Sequence, residues 1–137
     1  MKTIKIILPI LLLMLSCEKD SFNDQYIFMY GDWSPKQIDA LSFQKTSDFC
    51  DILRFKHPND YSLLIDNSIV ESGSFEIGEQ SDQKLGIVFK PKSRSDNYNP
   101  ISGLYTDLDV TVFNNDSIRI NNNVSDFGYI SIWLSKE

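Results

Sequence analysis

The sequence predicts an all-β fold in which about eight short antiparallel strands form a small barrel or sandwich. Apolar and polar residues alternate along most of the chain after residue 50, which is the period of a strand with one buried face. Clusters of Asn, Asp, Gly and Pro separate these segments at regular intervals. The strands do not alternate with helical segments, so the pattern excludes a doubly wound parallel sheet.

Residues 34–45 carry two competing signals. Ser34, Pro35 and Gln37 have the form of a helix start, with a capping serine, a proline in the first turn and a capping-box residue. The β pattern of the remaining chain favours a strand over residues 33–41 instead. We expect the strand, although the local sequence leaves the helix open.

Three strands follow in the first half of the barrel. Residues 53–56 alternate apolar residues with cations, and residues 61–65 alternate up to the turn at residues 66–68. Residues 69–77 form a longer segment. Gly73 lies inside it and predicts a bulge or a bend.

The second half continues the same pattern. Residues 85–89 alternate cleanly, and we expect Pro91 to end this strand because proline cannot donate to the ladder. Residues 108–112 and 117–121 form two further strands joined by an Asn-rich turn. The final strand, residues 129–134, is apolar on both faces, which predicts that another part of the protein covers its outer face.

Composition fits one globular, acidic domain. Of the 137 residues, 42% are hydrophobic and 12% are aromatic, which is enough for a packed core and excludes a disordered chain. The net charge is -6 and the pI is near 4.7. Because binding to nucleic acid depends on clustered Lys and Arg, the charge argues against nucleic acid as a partner.

The N-terminus has the pattern of an export signal. Lys2 and Lys5 precede the apolar residues 6–15, which Ser16 and Cys17 follow. This run is too short to span a bilayer with about 30 Å of hydrocarbon. A positively charged start before a short apolar run is typical of a signal peptide.

The end of this run, residues 13–17 (Leu-Met-Leu-Ser-Cys), resembles the lipobox of bacterial lipoproteins. The resemblance implies that residues 1–16 are a signal peptide and that Cys17 carries acyl chains, such as palmitate, on its thiol and its amine. Residues 17–25 would then form a polar tether. It also implies an anchor at the outer membrane, in the cell envelope of a Gram-negative bacterium, and leaves the facing leaflet open.

A second resemblance concerns the remaining chain. Three segments are similar to the small lipocalin-like domains of bacterial lipoproteins, namely residues 31–33 (Gly-Asp-Trp), residues 49–56 running into Tyr61, and residues 71–77. The resemblance implies an up-and-down barrel of about eight strands over residues 26–137, with Trp33 filling its closed end. The turn before Tyr61 departs from the family because it lacks a glycine.

The positions of cysteine, histidine and carboxylate residues predict no catalytic or metal site and no cofactor. Cys50 is the only thiol left once Cys17 carries lipid, so it cannot form the disulfide that the lipocalin-like resemblance implies. One histidine, His57, cannot complete a zinc site with one cysteine. Asp107 and Asp109 could chelate calcium, but calcium needs six to eight oxygens from a shaped loop. We expect a half-buried free thiol, a loop imidazole and a solvated carboxylate face.

Two non-catalytic functions therefore remain, and we do not expect an enzyme. One is a membrane-anchored binding module whose barrel takes a small apolar or amphipathic ligand. The other is an envelope interaction subunit or inhibitor with a filled barrel and binding loops. The interior distinguishes them, because a ligand site needs a cavity of about 300 Å³ or more. Trp33, Phe55, Phe75 and Phe89 are bulky enough to fill an eight-stranded barrel, which favours the second function.

Overall fold

The computed structural model of the protein describes residues 24–40, 49–80, 83–101, 103–122 and 129–137. Eight strands form a closed barrel in which each strand pairs antiparallel with the next and the last pairs with the first. The all-β, up-and-down prediction is thereby confirmed. The elements are a 3₁₀ helix Asp24–Met29 followed by β1 Gly31–Ala40, β2 Ile52–Lys56, β3 Asp60–Ile65, β4 Ser68–Glu79, β5 Leu85–Arg94, β6 Leu108–Asn114, β7 Ser117–Asn121 and β8 Ile130–Lys136.

The strand order gives the barrel two different ends. The end that carries the 3₁₀ helix, which we call the helix end, also holds the β2–β3, β4–β5 and β6–β7 connections and the last residues of β8. The opposite end, which we call the loop end, holds the β1–β2, β3–β4, β5–β6 and β7–β8 connections. Any side chain near a strand terminus can therefore be assigned to one end.

The segment with competing signals is a strand. Residues 34–40 belong to β1, while residues 41–45 lie outside the described residues. The ladder between β1 and β2 ends at Trp33, and the register with β8 shifts between Pro35 and Gln37. Pro35 is tolerated in the strand because it lies beyond the β2 pairing and next to this irregularity, where an N–H is dispensable.

The expectation that Pro91 ends its strand is wrong, because β5 continues to Arg94. Pro91 lies opposite Gly73, where the register of β4 and β5 shifts, so the predicted irregularity at Gly73 is confirmed. A Cβ atom on Gly73 would lie 2.2 Å from the Lys90 carbonyl oxygen. Only glycine lets the two strands approach this closely. Proline has no N–H to donate, and it is tolerated here because the bulge interrupts the hydrogen-bond ladder at this position.

Inward-facing side chains of all eight strands form one core. Its centre is aromatic, since the Phe55 ring centroid lies 4.9 Å from that of Phe75 and 6.1 Å from that of Phe89. The Tyr61 and Phe89 centroids are also 4.9 Å apart. Trp33 and all three phenylalanines are buried, so the side chains predicted to fill the barrel do so.

The helix end is plugged by the residues before β1. Tyr26 and Met29 are buried in the core, and the Trp33 indole Nε1 donates a hydrogen bond of 2.7 Å to the Met29 carbonyl. The Lys136 ammonium at the end of β8 donates to the Phe28 carbonyl at 2.9 Å and lies 5.6 Å from the Trp33 ring centroid. These contacts fix the 3₁₀ helix across the opening.

Two connections cover the loop end. Phe49 from the β1–β2 connection and Tyr98, Ile101 and Leu104 from the β5–β6 connection are all buried. The Tyr98 hydroxyl donates a hydrogen bond of 2.8 Å to the Phe49 carbonyl, which joins the two connections to each other. Each end of the barrel therefore carries its own apolar cover.

Candidate functional site

Three cavities lined by described residues are open surface grooves. One has about 490 Å³ and is lined by parts of β4 and β5 together with Asp107, and a second of about 420 Å³ lies beside β6 and β7. A third of about 100 Å³ lies beside the start of β4. The aromatic centre of the barrel lines none of these three grooves.

A buried carboxylate lies among the inward-facing residues near the loop end. Glu71 on β4 is 1% exposed. Its Oε1 accepts a hydrogen bond of 2.6 Å from the Tyr61 hydroxyl, and its Oε2 accepts one of 2.7 Å from Arg94 Nε and one of 2.6 Å from the Tyr105 hydroxyl. We call these four residues the Glu71 cluster. It joins β3, β4, β5 and the β5–β6 connection.

Burial is the main electrostatic influence on the tyrosines of this region. It raises the pKa of Tyr61, Tyr98 and Tyr105 well above the ordinary range, because a phenolate would lose its solvation there. For Tyr61 and Tyr105 the hydrogen bond to Glu71 raises the pKa further. All three hydroxyls are therefore protonated donors at neutral pH.

The cluster fits a structural role. Each oxygen of Glu71 has a donor, and the positive guanidinium of Arg94 compensates its buried negative charge. The guanidinium carbon also lies 5.1 Å from the Tyr105 ring centroid. Three donors occupy most of the acceptor sites of this buried carboxylate, although Glu71 and Arg94 also line the groove of about 100 Å³ beside the start of β4. The cluster was not predicted from the sequence. Glu71 occupies a core-facing position of β4, and an acidic residue at such a position indicates a buried carboxylate that needs hydrogen-bond donors.

Of the residues that the sequence singled out, Cys17 lies outside the described residues, and Cys50 and His57 are far apart. Cys50 is a free thiol in the β1–β2 connection at the loop end, and His57 lies in the β2–β3 connection at the helix end. Burial, with a smaller contribution from Asp51, raises the pKa of the Cys50 thiol far above its usual value. A thiolate–imidazole pair is excluded by this geometry.

Asp107, just before β6, and Asp109 on β6 do not form a metal site with their neighbours. Asp107 is exposed and lines the groove of about 490 Å³ beside Glu76 and Glu79, while Asp109 is half-buried on β6. Glu76 forms an ion pair with Lys90. Within residues 24–40, 49–80, 83–101, 103–122 and 129–137, no three His, Cys, Asp or Glu residues are arranged to hold a metal ion.

An aromatic stack lies on the outer wall of β6, β7 and β8. The rings of Phe113 and Trp133 are almost parallel, at 8°, with their centroids 5.0 Å apart. The Arg119 guanidinium lies 5.2 Å from the Trp133 centroid and 6.0 Å from that of Phe113. The stack covers Trp133 on the outer face of β8, whereas Tyr129, on the same face of the predicted strand 129–134, is 43% exposed.

The chain matches no protein-family model, and neither the curated proteins nor the solved structures contain a significant match. In the part of the chain that the structure describes, no helix has the length and apolar character needed to cross a bilayer.

Proposed function

We propose that the protein is a lipid-anchored, non-catalytic protein of the Gram-negative cell envelope that binds an envelope protein through the outer surface of a filled barrel. Lipidation at Cys17 is supported by the lipobox resemblance of residues 13–17 and by the charged and apolar pattern before it. Two or more acyl chains on Cys17 would give stable anchoring, whereas one chain gives only marginal binding.

The observation that carries the binding mode is the occupied interior. Phe55 packs against Phe75 and Phe89 in the interior, beside the walls formed by β2, β4 and β5, and apolar residues cover both ends. A small ligand needs a cavity with room for its atoms and a few polar anchors. The aromatic packing supports a partner held on the outside rather than a ligand held inside.

The anchor is tested by metabolic labelling with palmitate in a Gram-negative host. The wild-type chain should be labelled and should fractionate with the outer membrane, whereas Cys17→Ala should be unlabelled and soluble after cleavage or retained as the precursor. Cys50→Ala is the matched control and should keep the label. An unlabelled wild type would refute lipidation.

The binding mode is tested by native mass spectrometry of the full lipidated chain, extracted in detergent from the envelope of its own host. The expected spectrum shows either the bare protein or a complex with another polypeptide. A stoichiometric small molecule that survives purification would refute the filled-barrel proposal and support the ligand-binding module that the sequence left open.

A further inference from the structure

Three of the five exposed large apolar side chains among the described residues lie at the helix end of the barrel. Ile27 on the 3₁₀ helix is 67% exposed, and Val112 and Phe113 near the end of β6 are 42% and 49% exposed. Ile69 and Tyr129 are the other two in the described residues, and both lie at the loop end. Exposed apolar groups that share one end of a barrel mark a contact surface more clearly than isolated ones.

The aromatic stack next to this end has the composition of a membrane interface. Trp133 and Phe113 present aromatic rings, and the Arg119 guanidinium lies against both rings. Aromatic residues are enriched at the headgroup level of bilayers, and arginine is the side chain best suited to phosphate groups.

The length of the tether determines which end of the barrel lies near the anchor. Six residues, 18–23, separate Cys17 from Asp24, where the 3₁₀ helix begins. Even a fully extended chain from Cys17 to Asp24 spans at most about 25 Å, at roughly 3.5 Å per residue. An anchor at Cys17 therefore keeps Asp24, at the start of the 3₁₀ helix, within about 25 Å of the membrane surface.

We propose that the helix end docks on the phospholipid headgroup layer, with Ile27, Val112 and Phe113 entering the interface and Arg119 binding lipid phosphate. This inference rests on the proposed lipid anchor at Cys17. The helix end carries both positive and negative side chains, among them Lys56, Lys136, Asp60, Asp116 and Glu137. This mixed charge favours docking through apolar side chains over electrostatic attraction to anionic lipid. Partial insertion of apolar groups to a shallow depth is the mode that such a mixed surface favours.

The test uses the full lipidated chain in vesicles of phosphatidylethanolamine and phosphatidylglycerol that contain a lipid with a nitroxide near the headgroup. A fluorophore is attached to a single introduced cysteine in a Cys50→Ser background. Ile27→Cys and Phe113→Cys probe the helix end, and Ile69→Cys is the matched control, because Ile69 is also an exposed isoleucine but lies at the loop end. Circular dichroism verifies that each variant keeps the β fold.

Fluorescence at positions 27 and 113 should be quenched several-fold more strongly than fluorescence at position 69. In the Ile27→Cys chain, Arg119→Gln should weaken the quenching, and unchanged quenching would refute the contact between Arg119 and phosphate. Equal quenching at all three positions, or stronger quenching at position 69, would overturn the docking. So would efficient disulfide cross-linking between two Phe113→Cys chains without quenching, which would identify a second copy as the occupant.

The experiment separates the two proposals. Vesicles that retain the protein but show no quenching at positions 27 and 113 would leave the anchor intact and refute the docking. Vesicles that retain no protein would refute the anchor at Cys17, and the docking would fall with it.

Discussion

The Glu71 carboxylate on β4 accepts a hydrogen bond of 2.6 Å from the Tyr105 hydroxyl in the β5–β6 connection. This contact fastens a long connection to the barrel wall, beside the covered loop end. Because Glu71 is buried, a donor removed from it leaves a charged acceptor without a replacement from solvent.

Tyr105→Phe should therefore lower the free energy of unfolding by about 1–2 kcal/mol, since a hydrogen bond to a buried charged group is lost while the ring is kept. Chemical denaturation measures the change. Tyr129→Phe is the control, because Tyr129 is exposed and its hydroxyl reaches solvent. A similar decrease in the free energy of unfolding in both variants would contradict a stabilising hydrogen bond between Tyr105 and Glu71.

Gly73→Ala should destabilise the barrel by about 1–3 kcal/mol or more, which is the range for overpacking a tight contact. The added Cβ would lie 2.2 Å from the Lys90 carbonyl oxygen and 2.8 Å from the Pro91 Cα, so the backbone of β5 has to move. Thermal and urea unfolding measure the loss. Ser74→Ala, on the same strand, is the control, and a neutral Gly73→Ala would show that the two strands are further apart than described.

The ion pair between β1 and β2 gives an acid-dependent contribution to stability. Arg54 Nε and Nη2 each donate to a carboxylate oxygen of Asp32 at 2.6 Å, and this contact lowers the pKa of Asp32 below its ordinary value. Since the folded pKa is lower than the unfolded one, the stabilisation is fully present above about pH 4 and is lost as the pH falls through the folded pKa.

Asp32→Asn should consequently reduce the free energy of unfolding by about 1 kcal/mol at pH 7, as expected for a well-aligned, partly exposed ion pair. The difference from wild type should shrink as the pH is lowered below 4. Urea titrations at several pH values test this, with Asp39→Asn as the exposed control on the same strand. A difference that is constant with pH would contradict the linkage.

The Cys50 thiol should react slowly in the folded protein. Burial raises its pKa, so little thiolate is present at pH 8. In the lipidated chain, a thiol reagent should find one group that reacts fully only after unfolding. Rapid reaction in the folded state would contradict the burial, and no reaction after unfolding would indicate an intermolecular disulfide. Cys50→Ser should cost about 1–3 kcal/mol if the new hydroxyl is unsatisfied.

Local patterns predicted most of the barrel because each strand carries its own alternation and each turn its own chemistry. Asp66 and Asn67 adopt positive φ values of 50° and 61° between β3 and β4, as the turn residues there required. Pro91 misled the prediction because its effect depends on the strand opposite, where Gly73 and a bulge absorb the missing donor.

The surface and buried clusters were beyond local patterns. Glu71 meets Tyr61, Arg94 and Tyr105 only because the register of three strands and one connection brings them together. Phe113 lies where the β6–β7 register shifts between Val112 and Asn114, and this irregularity lets its ring reach Trp133 on β8. Such contacts between distant strands depend on the register of the closed barrel, so they cannot be predicted from the pattern of each strand alone.

The closing seam between β1 and β8 has a kinetic consequence. It joins residues from the two ends of the barrel domain, as in the pair Trp33 and Lys136, and contacts so distant along a chain form slowly because a long loop must close first. The barrel therefore cannot be completed until the last strand has emerged. If the chain is exported as proposed, the strand order leaves this seam open until the C-terminal strand β8 has also crossed the inner membrane.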